Sequence, residues 1–274
     1  MIPAAFAYQR AGSVAEALAL LEAAGGDAAV LAGGHSLLPM MKLRRARPAR
    51  LVDIGPCAGE LGGIAVEGSE VVIGALVTHH ALATSPLVAG QVPILAAAAA
   101  LVGDPQVRRR GTVGGSLSHA DPAADLPGVA LALGATVVVA GPAGRRRVPA
   151  AEFFVAQNRT AMAPGELLVE LRVPAVAGAR WSYQRLTRRA ADWPTVAVAA
   201  VDAPGCGVAL VNMGETPLRA TAVEAARATG ASAAEAARLA AEGTDPPGDL
   251  KASPAFRRHL AAVLTRRALV ALQP

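Results

Sequence analysis

The pattern of apolar positions at the start of the chain predicts a small unit of alternating strands and helices. Ser13 and Glu16 have the spacing of a capping box, and apolar residues follow at helical intervals until Gly25 and Gly26 end the pattern. Further patterns predict a strand, a helix and a second strand at residues 28–32, 37–43 and 51–54. We therefore expect residues 1–55 to form a β-α-β unit.

The middle of the chain predicts a hairpin, helices and further strands. Apolar runs at residues 64–66 and 71–73 flank a Glu-Gly-Ser-Glu turn, which is a hairpin signal. Two helical patterns and two strands follow, at residues 78–83, 93–102, 135–140 and 167–173. Residues 103–125 are rich in glycine and proline, so we expect an irregular segment there.

The last third of the chain has a different pattern. It predicts three strands in a meander and then three helices, at residues 180–186, 195–201, 208–213, 222–228, 233–242 and 254–272. The change in pattern indicates a domain boundary near residues 174–179. We expect an α+β protein with a first domain at residues 1–176, whose subdomains are at about 1–55 and 56–176, and a second domain at residues 177–274.

Composition places the chain among globular proteins. Of its 274 residues, 53% are hydrophobic and 17% are charged, which supplies apolar material for a core and excludes disorder as the main state. An uncharged stretch at residues 126–144 is interrupted by glycine and proline, so it does not predict a membrane-spanning helix of ~20 residues. Residues 1–9 lack the features of a signal peptide, so we expect a cytoplasmic protein without an integral membrane segment.

The chain is basic, with a formal net charge of +5, and nucleic-acid binding is therefore one alternative. The arginines form short clusters, aromatic residues are only 3%, and no recognition-helix pattern is present. We favour a solvated surface, or a face for an acidic ligand or partner, over nucleic acid. Cys57 and Cys206 are far apart and neither belongs to a CxxC motif, so this chain alone predicts no iron–sulfur cluster and no zinc site.

Two glycine-rich segments are the strongest indication of binding chemistry, at residues 32–36 (Ala-Gly-Gly-His-Ser) and 111–116 (Gly-Thr-Val-Gly-Gly-Ser). Adjacent glycines let successive backbone amides converge on an anion, and no Cβ obstructs its approach. A helix N-terminus behind the segment adds a favourable dipole. One such segment is more often a tight turn, but two in one chain fit a diphosphate held from both sides. The sequence contains no Rossmann, P-loop, nucleophile-elbow or HExxH motif.

Polar side chains around the second glycine-rich segment add further binding groups. Asp121 and Asp125 stand four residues apart at the start of a helical pattern. Such a carboxylate either caps the helix or accepts hydrogen bonds from ribityl or ribose hydroxyls. His35 and His119 have the chemistry to donate to a phosphate, although lone histidines are often structural.

Three stretches together resemble the FAD-binding medium subunit of the molybdenum hydroxylases, the family of aerobic carbon monoxide dehydrogenase and xanthine dehydrogenase. They are AGGHSLLPMMKLRRARPARLVDI, RRRGTVGGSLSHADPAADLP and PAFRRHLAAVLTRRAL, and the resemblance extends over essentially the whole chain. It implies a two-subdomain FAD-binding module like that of vanillyl-alcohol oxidase. A small C-terminal domain with a three-stranded antiparallel sheet and helices would follow.

The resemblance also implies which residues contact FAD, with no catalytic residue and no metal ligand among them. These residues are Ala32, Gly33, Gly34, His35, Ser36, Leu37, Thr78, Thr112, Val113, Gly114, Gly115, Ser116, Asp125, Leu168, Arg185 and Trp193. The glycine-rich segments would hold the diphosphate, Leu168 would pack at the flavin, and Thr78 would lie near the adenine. Trp193 is equally compatible with a place beside the isoalloxazine ring and with an ordinary core tryptophan.

Three residues depart from the family pattern. Arg109 replaces the asparagine of a common Arg-Asn-Arg sequence, and Ser116 replaces a common asparagine. Arg185 stands where many members have a lysine near the pyrimidine edge of the flavin. Arginine keeps the positive charge with a different shape, so we expect Arg185 to stabilise the reduced, anionic flavin.

The implied function is electron transfer within a complex. A large molybdopterin-binding subunit and a small subunit with 2Fe-2S clusters would be the partners, in a dimer of heterotrimers. Electrons would pass from the clusters through FAD to a terminal acceptor. Two alternatives stay open, namely a stand-alone flavin oxidoreductase of related fold and a basic nucleic-acid-binding protein. The sequence does not indicate the substrate, because specificity would reside in the molybdenum subunit.

Overall fold

Residues 2–273 are described by a computed structural model, in which the chain begins with a three-stranded parallel sheet of order β1-β3-β2. The unit comprises β1 (Ala7–Arg10), α1 (Val14–Ala23), β2 (Ala28–Leu31), α2 (Leu37–Lys42) and β3 (Arg50–Asp53). The sequence pattern missed β1 because most of its side chains are exposed. At α1, the Ser13 hydroxyl accepts from the Glu16 amide, but the Glu16 carboxylate accepts from the Gly12 amide, so only half of the predicted capping box forms.

A five-stranded antiparallel sheet of order β4-β5-β10-β6-β7 follows. Its strands are β4 (Ile64–Glu67), β5 (Glu70–Gly74), β6 (Thr136–Gly141), β7 (Gly144–Pro149) and β10 (Leu167–Pro174). Both faces of β6 are buried, because Val137 and Val139 point into the main core while Val138 and Ala140 pack towards the parallel sheet. This arrangement explains why β6 has a continuous apolar sequence.

The edge strand β7 was absent from the prediction. Its sequence contains three consecutive arginines, residues 145–147, which do not alternate with apolar residues. The structure pairs them with carboxylates of other segments, at nitrogen–oxygen distances of 3.0, 2.6 and 3.5 Å to Glu170, Glu166 and Glu70, respectively. The strand is therefore defined by its partners across the sheet rather than by its own pattern.

Short helices connect these strands. After a 3₁₀ turn at Gly55–Cys57 they are α3 (Ala58–Leu61), α4 (His79–Thr84), α5 (Pro86–Gln91), α6 (Pro93–Ala100), α7 (Pro105–Arg110), α8 (Val113–His119), α9 (Asp125–Ala132) and α10 (Ala150–Phe153). A small hairpin consists of β8 (Phe154–Ala156) and β9 (Arg159–Thr160).

The expectation of an irregular segment at residues 103–125 is wrong, because this segment contains α7 and α8. Each helix begins at a side-chain cap. Asp104 accepts a hydrogen bond from the Val107 amide, and Thr112 accepts one from the Gly115 amide. The glycines at positions 114 and 115 suggested a loop, whereas the caps and the packing of Val113 and Leu117 in the core stabilise a helix.

The last third forms a four-stranded antiparallel sheet covered by helices. The elements are β11 (Arg180–Leu186), β12 (Val196–Asp202), β13 (Val208–Val211), β14 (Leu218–Arg219), α11 (Thr221–Ala228), α12 (Ala233–Ala237) and α13 (Pro254–Ala271). The expected three strands are all present, with β14 as a fourth of only two residues. Helix α12 ends at Ala237, earlier than the predicted residue 242.

One hydrophobic core extends across the expected domain boundary. Val173 and Val176, from the end of the first domain, belong to the same buried cluster as Ala199, Val201 and Ala209 of the small sheet. The opposite face of that sheet packs against α13 in a second cluster. No helix among residues 2–273 is long and apolar enough to cross a membrane.

Candidate cofactor site

A cavity of about 580 Å³ lies where the parallel sheet, the α7–α8 region and the segment between β11 and β12 meet. This volume is within the usual range for sites that bind small molecules and cofactors. The sixteen residues expected to contact a cofactor all line the cavity except Thr78, Val113 and Arg185. The fold therefore brings together segments that are more than 150 residues apart in the sequence, from Ala32 to Trp193.

The first glycine-rich segment joins β2 to α2 at one wall of the cavity. Glycine is required at its two glycine positions for different structural reasons. A Cβ on Gly33 would lie 2.0 Å from the Arg110 carbonyl oxygen, so a side chain is excluded by the neighbouring backbone. Gly34 has a φ of +75°, where glycine carries no steric penalty. None of the backbone amides from Gly33 to Ser36 donates to an acceptor within residues 2–273. This wall therefore offers a set of free donors, which suits an anion.

The second glycine-rich segment leads into the first turn of α8, and the amides of residues 113–116 are already engaged. The amides of Val113 and Gly114 donate to the carbonyls of Val77 and Ala75, and those of Gly115 and Ser116 donate to Thr112. A Cβ on Gly114 would lie 2.6 Å from the Cβ of Ala75, so this glycine serves packing. Gly115 and Ser116 face the cavity and give it an accessible surface and a hydroxyl.

Two expected contact residues have structural positions outside the cavity lining. Val113 is fully buried in the main core. Thr78 caps α4, since its hydroxyl accepts from the Ala81 amide at 3.1 Å, and it forms an isolated β-bridge with Thr112. The bridge joins the start of α4 to the start of α8. Both residues therefore support the wall of the cavity from behind.

Asp125 is a buried carboxylate in the cavity wall, with 4% exposure. Burial raises its pKa to about 6, although the Arg185 guanidinium and a hydrogen bond from the Tyr183 hydroxyl act in the opposite direction. Both partners contact Oδ1, with 3.2 Å between Arg185 Nη1 and that oxygen. Asp125 also lies in the first turn of α9 without capping it. The carboxylate is thus fixed in orientation at the cavity surface.

Arg185 does not line the cavity, and its expected stabilisation of the reduced, anionic flavin stays a prediction. Its guanidinium is held by the Asp125 carboxylate and donates to the carbonyl oxygens of Leu101 and Asp192. The side chain is 11% exposed. The sequence could not reveal this, because Asp125 is 60 positions away and meets Arg185 only in the folded chain. Arg185 therefore connects the C-terminal sheet to one cavity residue and to the backbone of another.

Trp193 lies at the cavity in the segment between β11 and β12, and 46% of it is exposed. The alternative that Trp193 is an ordinary core tryptophan is therefore wrong. Ala191, two residues earlier, lies in a turn and has a φ of +61°. Leu168, on β10, also lines the cavity and is next to a register shift between Leu168 and Glu170, which turns successive side chains of the strand to different surroundings.

The segment that carries Trp193 is braced by four side chains of the C-terminal part. Arg185 donates to the Asp192 carbonyl oxygen, and Lys251 Nζ is 2.8 Å from Asp192 Oδ1. The carbonyl oxygens of Pro194 and Thr195 accept hydrogen bonds from Asn212 and Arg257, respectively. Backbone groups that would otherwise lie unpaired are thereby satisfied, so the segment has one defined path.

His79 is not among the residues expected to contact a cofactor, yet it lines the cavity beneath the glycine-rich segments and is only 4% exposed. Burial lowers its pKa to about 4, with smaller contributions from His35 and Arg108. The sequence signal for it is its position directly after Thr78, which begins a predicted helix. Within residues 2–273, no group of three or more His, Cys, Asp or Glu side chains is arranged to hold a metal ion.

Two family models match the chain. One, described as the FAD binding domain in molybdopterin dehydrogenase, matches residues 4–176. The other, described as the CO dehydrogenase flavoprotein C-terminal domain, matches residues 181–272. The two matches meet close to the change of pattern that the sequence shows after residue 174.

Relatives match over nearly the full length. The carbon monoxide dehydrogenase medium chain of Hydrogenophaga pseudoflava is 43% identical, over 98% of this chain and 97% of the relative. The 6-hydroxypseudooxynicotine dehydrogenase complex subunit alpha of Paenarthrobacter nicotinovorans is 37% identical, over 98% of this chain and 95% of the relative. These names differ in substrate, so similarity of this chain to them does not select one.

Solved structures agree with the sequence matches. A chain of the Hydrogenophaga pseudoflava carbon monoxide dehydrogenase that lacks the Mo-pyranopterin moiety superposes with a TM-score of 0.93 at 44% identity, covering 99% of this chain and 98% of that one. A chain of quinoline 2-oxidoreductase from Pseudomonas putida 86 superposes with a TM-score of 0.90 at 34% identity, covering all of both chains.

The fold, the glycine-walled cavity and these matches define the class as an FAD-binding oxidoreductase subunit. The chain belongs to the family of FAD-binding medium subunits of molybdopterin dehydrogenases, with carbon monoxide dehydrogenase medium chains among its relatives. The residues present fit the cofactor. Free amides suit a diphosphate, and Asp125 and the half-exposed Trp193 suit a polyol and an aromatic ring, respectively.

Proposed function

We propose that this chain carries electrons between redox centres of a molybdenum-containing hydroxylase or dehydrogenase complex. Electrons from iron–sulfur clusters of a partner subunit would pass through FAD in this chain to a terminal acceptor. The observation that carries the proposal is the cavity wall of free backbone amides at Gly33–Ser36, in a chain that matches the family over nearly its whole length. When bound, FAD supplies a centre that exchanges either one or two electrons.

Different residues of the cavity would bind different parts of the cofactor. The amides of Gly33–Ser36 would bind the diphosphate, with Gly115 leaving space for it and the Ser116 hydroxyl as a further donor. Asp125 would accept hydrogen bonds from sugar-alcohol hydroxyls. Leu168 and Trp193 would pack against the ring system and keep water from it.

The molybdenum cofactor and the 2Fe-2S clusters belong to partner chains in this proposal. Cys57 is buried beneath α1, and Cys206 lies near β13, so the two thiols of this chain are in different parts of the fold. Relatives carry names such as medium chain and complex subunit, which supports a large and a small partner subunit. We further propose a dimer of heterotrimers and a domain boundary at residues 176–177.

The test is flavin loading of the purified full chain. We expect about one FAD per chain, visible as flavin absorption and released on denaturation. A colourless chain that binds DNA with a steep salt dependence would instead support the nucleic-acid alternative. Flavin binding with turnover by the chain alone would support a stand-alone flavin oxidoreductase.

A further inference from the structure

His79 is a buried polar side chain that the binding scheme above does not use. It begins α4, and its backbone amide donates to the Gly111 carbonyl at 2.9 Å. The imidazole lies directly against Gly111, because a Cβ on that glycine would be 2.9 Å from Cδ2 and 3.1 Å from Nε2 of His79. Gly111 also touches the position of Gly33, so His79 lies just behind the contact between the two glycine-rich segments.

The two ring nitrogens of His79 have different surroundings. Nδ1 is buried and has no hydrogen-bond partner within residues 2–273. The opposite ring edge, Cδ2–Nε2, faces Gly111, which lines the cavity together with His79. Burial lowers the pKa of His79 to about 4, and the electrostatic contributions of His35 and Arg108 act in the same direction. The imidazole is therefore neutral at physiological pH, with one N–H and one lone pair.

The position of the proton follows from the cost of burial. Among buried backbone groups, an N–H without an acceptor is rarer than a carbonyl oxygen without a donor, and we apply the same preference to the imidazole. The lone pair is therefore at Nδ1 and the hydrogen at Nε2. This tautomer places a neutral donor beside Gly111, which lines the cavity together with His79. The nearby α8 amides are already engaged.

We propose that His79 Nε2–H donates a hydrogen bond to a phosphate oxygen of the bound dinucleotide. This inference rests on the proposed function and adds a residue to it. The free amides of Gly33–Ser36 supply donors on one side of the cavity. His79 supplies one from beneath the second glycine-rich segment, so that the diphosphate has donors from both sides. Because the donor is neutral, it would orient the phosphate through a directional hydrogen bond without adding positive charge to the site.

The test compares side chains that keep or lose the donor at this place. In His79→Gln the amide nitrogen reaches the position of Nε2, whereas in His79→Asn it reaches only the position of Nδ1. His79→Leu removes both, and His80→Leu, at the next residue of the same helix, is the matched control. Each full-length apoprotein is titrated with FAD and with riboflavin, which lacks phosphates, and thermal melting checks folding.

We expect His79→Asn and His79→Leu to weaken FAD affinity by roughly tenfold or more, the usual loss for a hydrogen bond to a charged group. His79→Gln and His80→Leu should stay within about threefold of wild type, and riboflavin affinity should be unchanged throughout. If Leu unfolds the chain, the comparison of Gln with Asn decides. Equal FAD affinity in Gln and Asn, or equal losses for FAD and riboflavin, overturns the inference. A wild-type chain that binds no FAD overturns the proposed function itself.

Discussion

Glycines that look equivalent in the sequence have different tasks in the structure. Gly33 and Gly114 are required because other parts of the chain occupy the space of a Cβ, at 2.0 Å from the Arg110 carbonyl and 2.6 Å from Ala75, respectively. Gly115 is exposed to the cavity, and a Cβ there would approach only the Thr112 hydroxyl, at 2.8 Å. Substitutions at Gly33 and Gly115 should therefore separate folding from binding.

Gly33→Val should lower the free energy of unfolding by about 1–3 kcal/mol or more, because the added side chain overpacks the contact with the Arg110 backbone. Gly115→Val should cost at most the N-cap of α8, about 1 kcal/mol, while weakening FAD binding by roughly tenfold or more. Urea unfolding of the apoproteins and FAD titration measure the two effects. Wild-type stability in Gly33→Val, or full FAD affinity in Gly115→Val, would contradict these assignments.

Asp125 makes the stability of the apoprotein depend on pH in a predictable direction. Its pKa is raised to about 6 from an ordinary value of 3.8, mainly by burial. Between these values the folded state holds a proton that the unfolded state has lost, so the free energy of unfolding falls as pH rises from about 4 to 6. Above that window the loss is constant, at about 3 kcal/mol.

Asp125→Asn removes this titration and serves as the reference. The difference in unfolding free energy between wild type and variant should change by about 2–3 kcal/mol between pH 4 and 7, to the disadvantage of wild type. Other carboxylates, such as Glu166 and Asp249, have lowered pKa values and contribute equally to both proteins. Urea unfolding at several pH values gives the difference, and a constant difference would show that Asp125 titrates normally.

At the scale of elements, the segment between β11 and β12 is held in place by side chains from several directions. Asn212 has a φ of +62° and is 7% exposed, and its amide donates to the Pro194 carbonyl at 2.9 Å. The Lys251–Asp192 pair is nearer to solvent, with side-chain exposures of 32% and 24%. These two contacts act on the same segment and should differ in strength.

Asn212→Gly keeps the backbone conformation and removes the amide, which leaves a buried carbonyl unpaired. It should lower the free energy of unfolding by about 1–3 kcal/mol and increase acrylamide quenching of Trp193 in a Trp181→Phe background. Lys251→Met should cost about 1 kcal/mol or less and leave quenching unchanged, as expected for an exposed ion pair. If both variants changed the free energy of unfolding and the quenching of Trp193 to a similar extent, burial would not determine how strongly each contact holds the segment.

Local signals in the sequence predicted many elements but not those that depend on distant partners. Helix α13 was predicted almost to its ends, because Ser253 caps it and Pro254 begins it. Strand β7 could not be predicted, since its arginines become a strand only through glutamates of β5, β10 and the turn before β10. Helix α8 was missed because its two glycines outweighed the Thr112 cap.

The same limit applies to the site. The cavity residues on the glycine-rich segments could be found from short-range patterns. The ion pair of Arg185 with Asp125 could not, because only the fold brings these two residues together. His79 carried no motif strong enough to distinguish it from a core histidine.

For the whole molecule, the assignment of substrate chemistry to partner chains has a direct test. We expect the purified FAD-loaded chain to show no flavin bleaching with carbon monoxide, purines, aldehydes or N-heterocycles under anaerobic conditions. Dithionite should bleach it, as a control for flavin accessibility. The assembled complex, supplied with its own substrate, should be bleached. Substrate-dependent bleaching of the chain alone would show that it contains its own catalytic groups.

The core that continues past residue 176 limits how such chains can be recombined. Val173 and Val176 pack in one cluster with Ala199, Val201 and Ala209, although the two family models end and begin between them. Halves taken from two relatives and joined at this point would therefore inherit mismatched contact surfaces. A chimera should regain stability only when the residues that pack together on both sides of the joint come from the same parent. The two parts of the chain therefore cannot be exchanged independently.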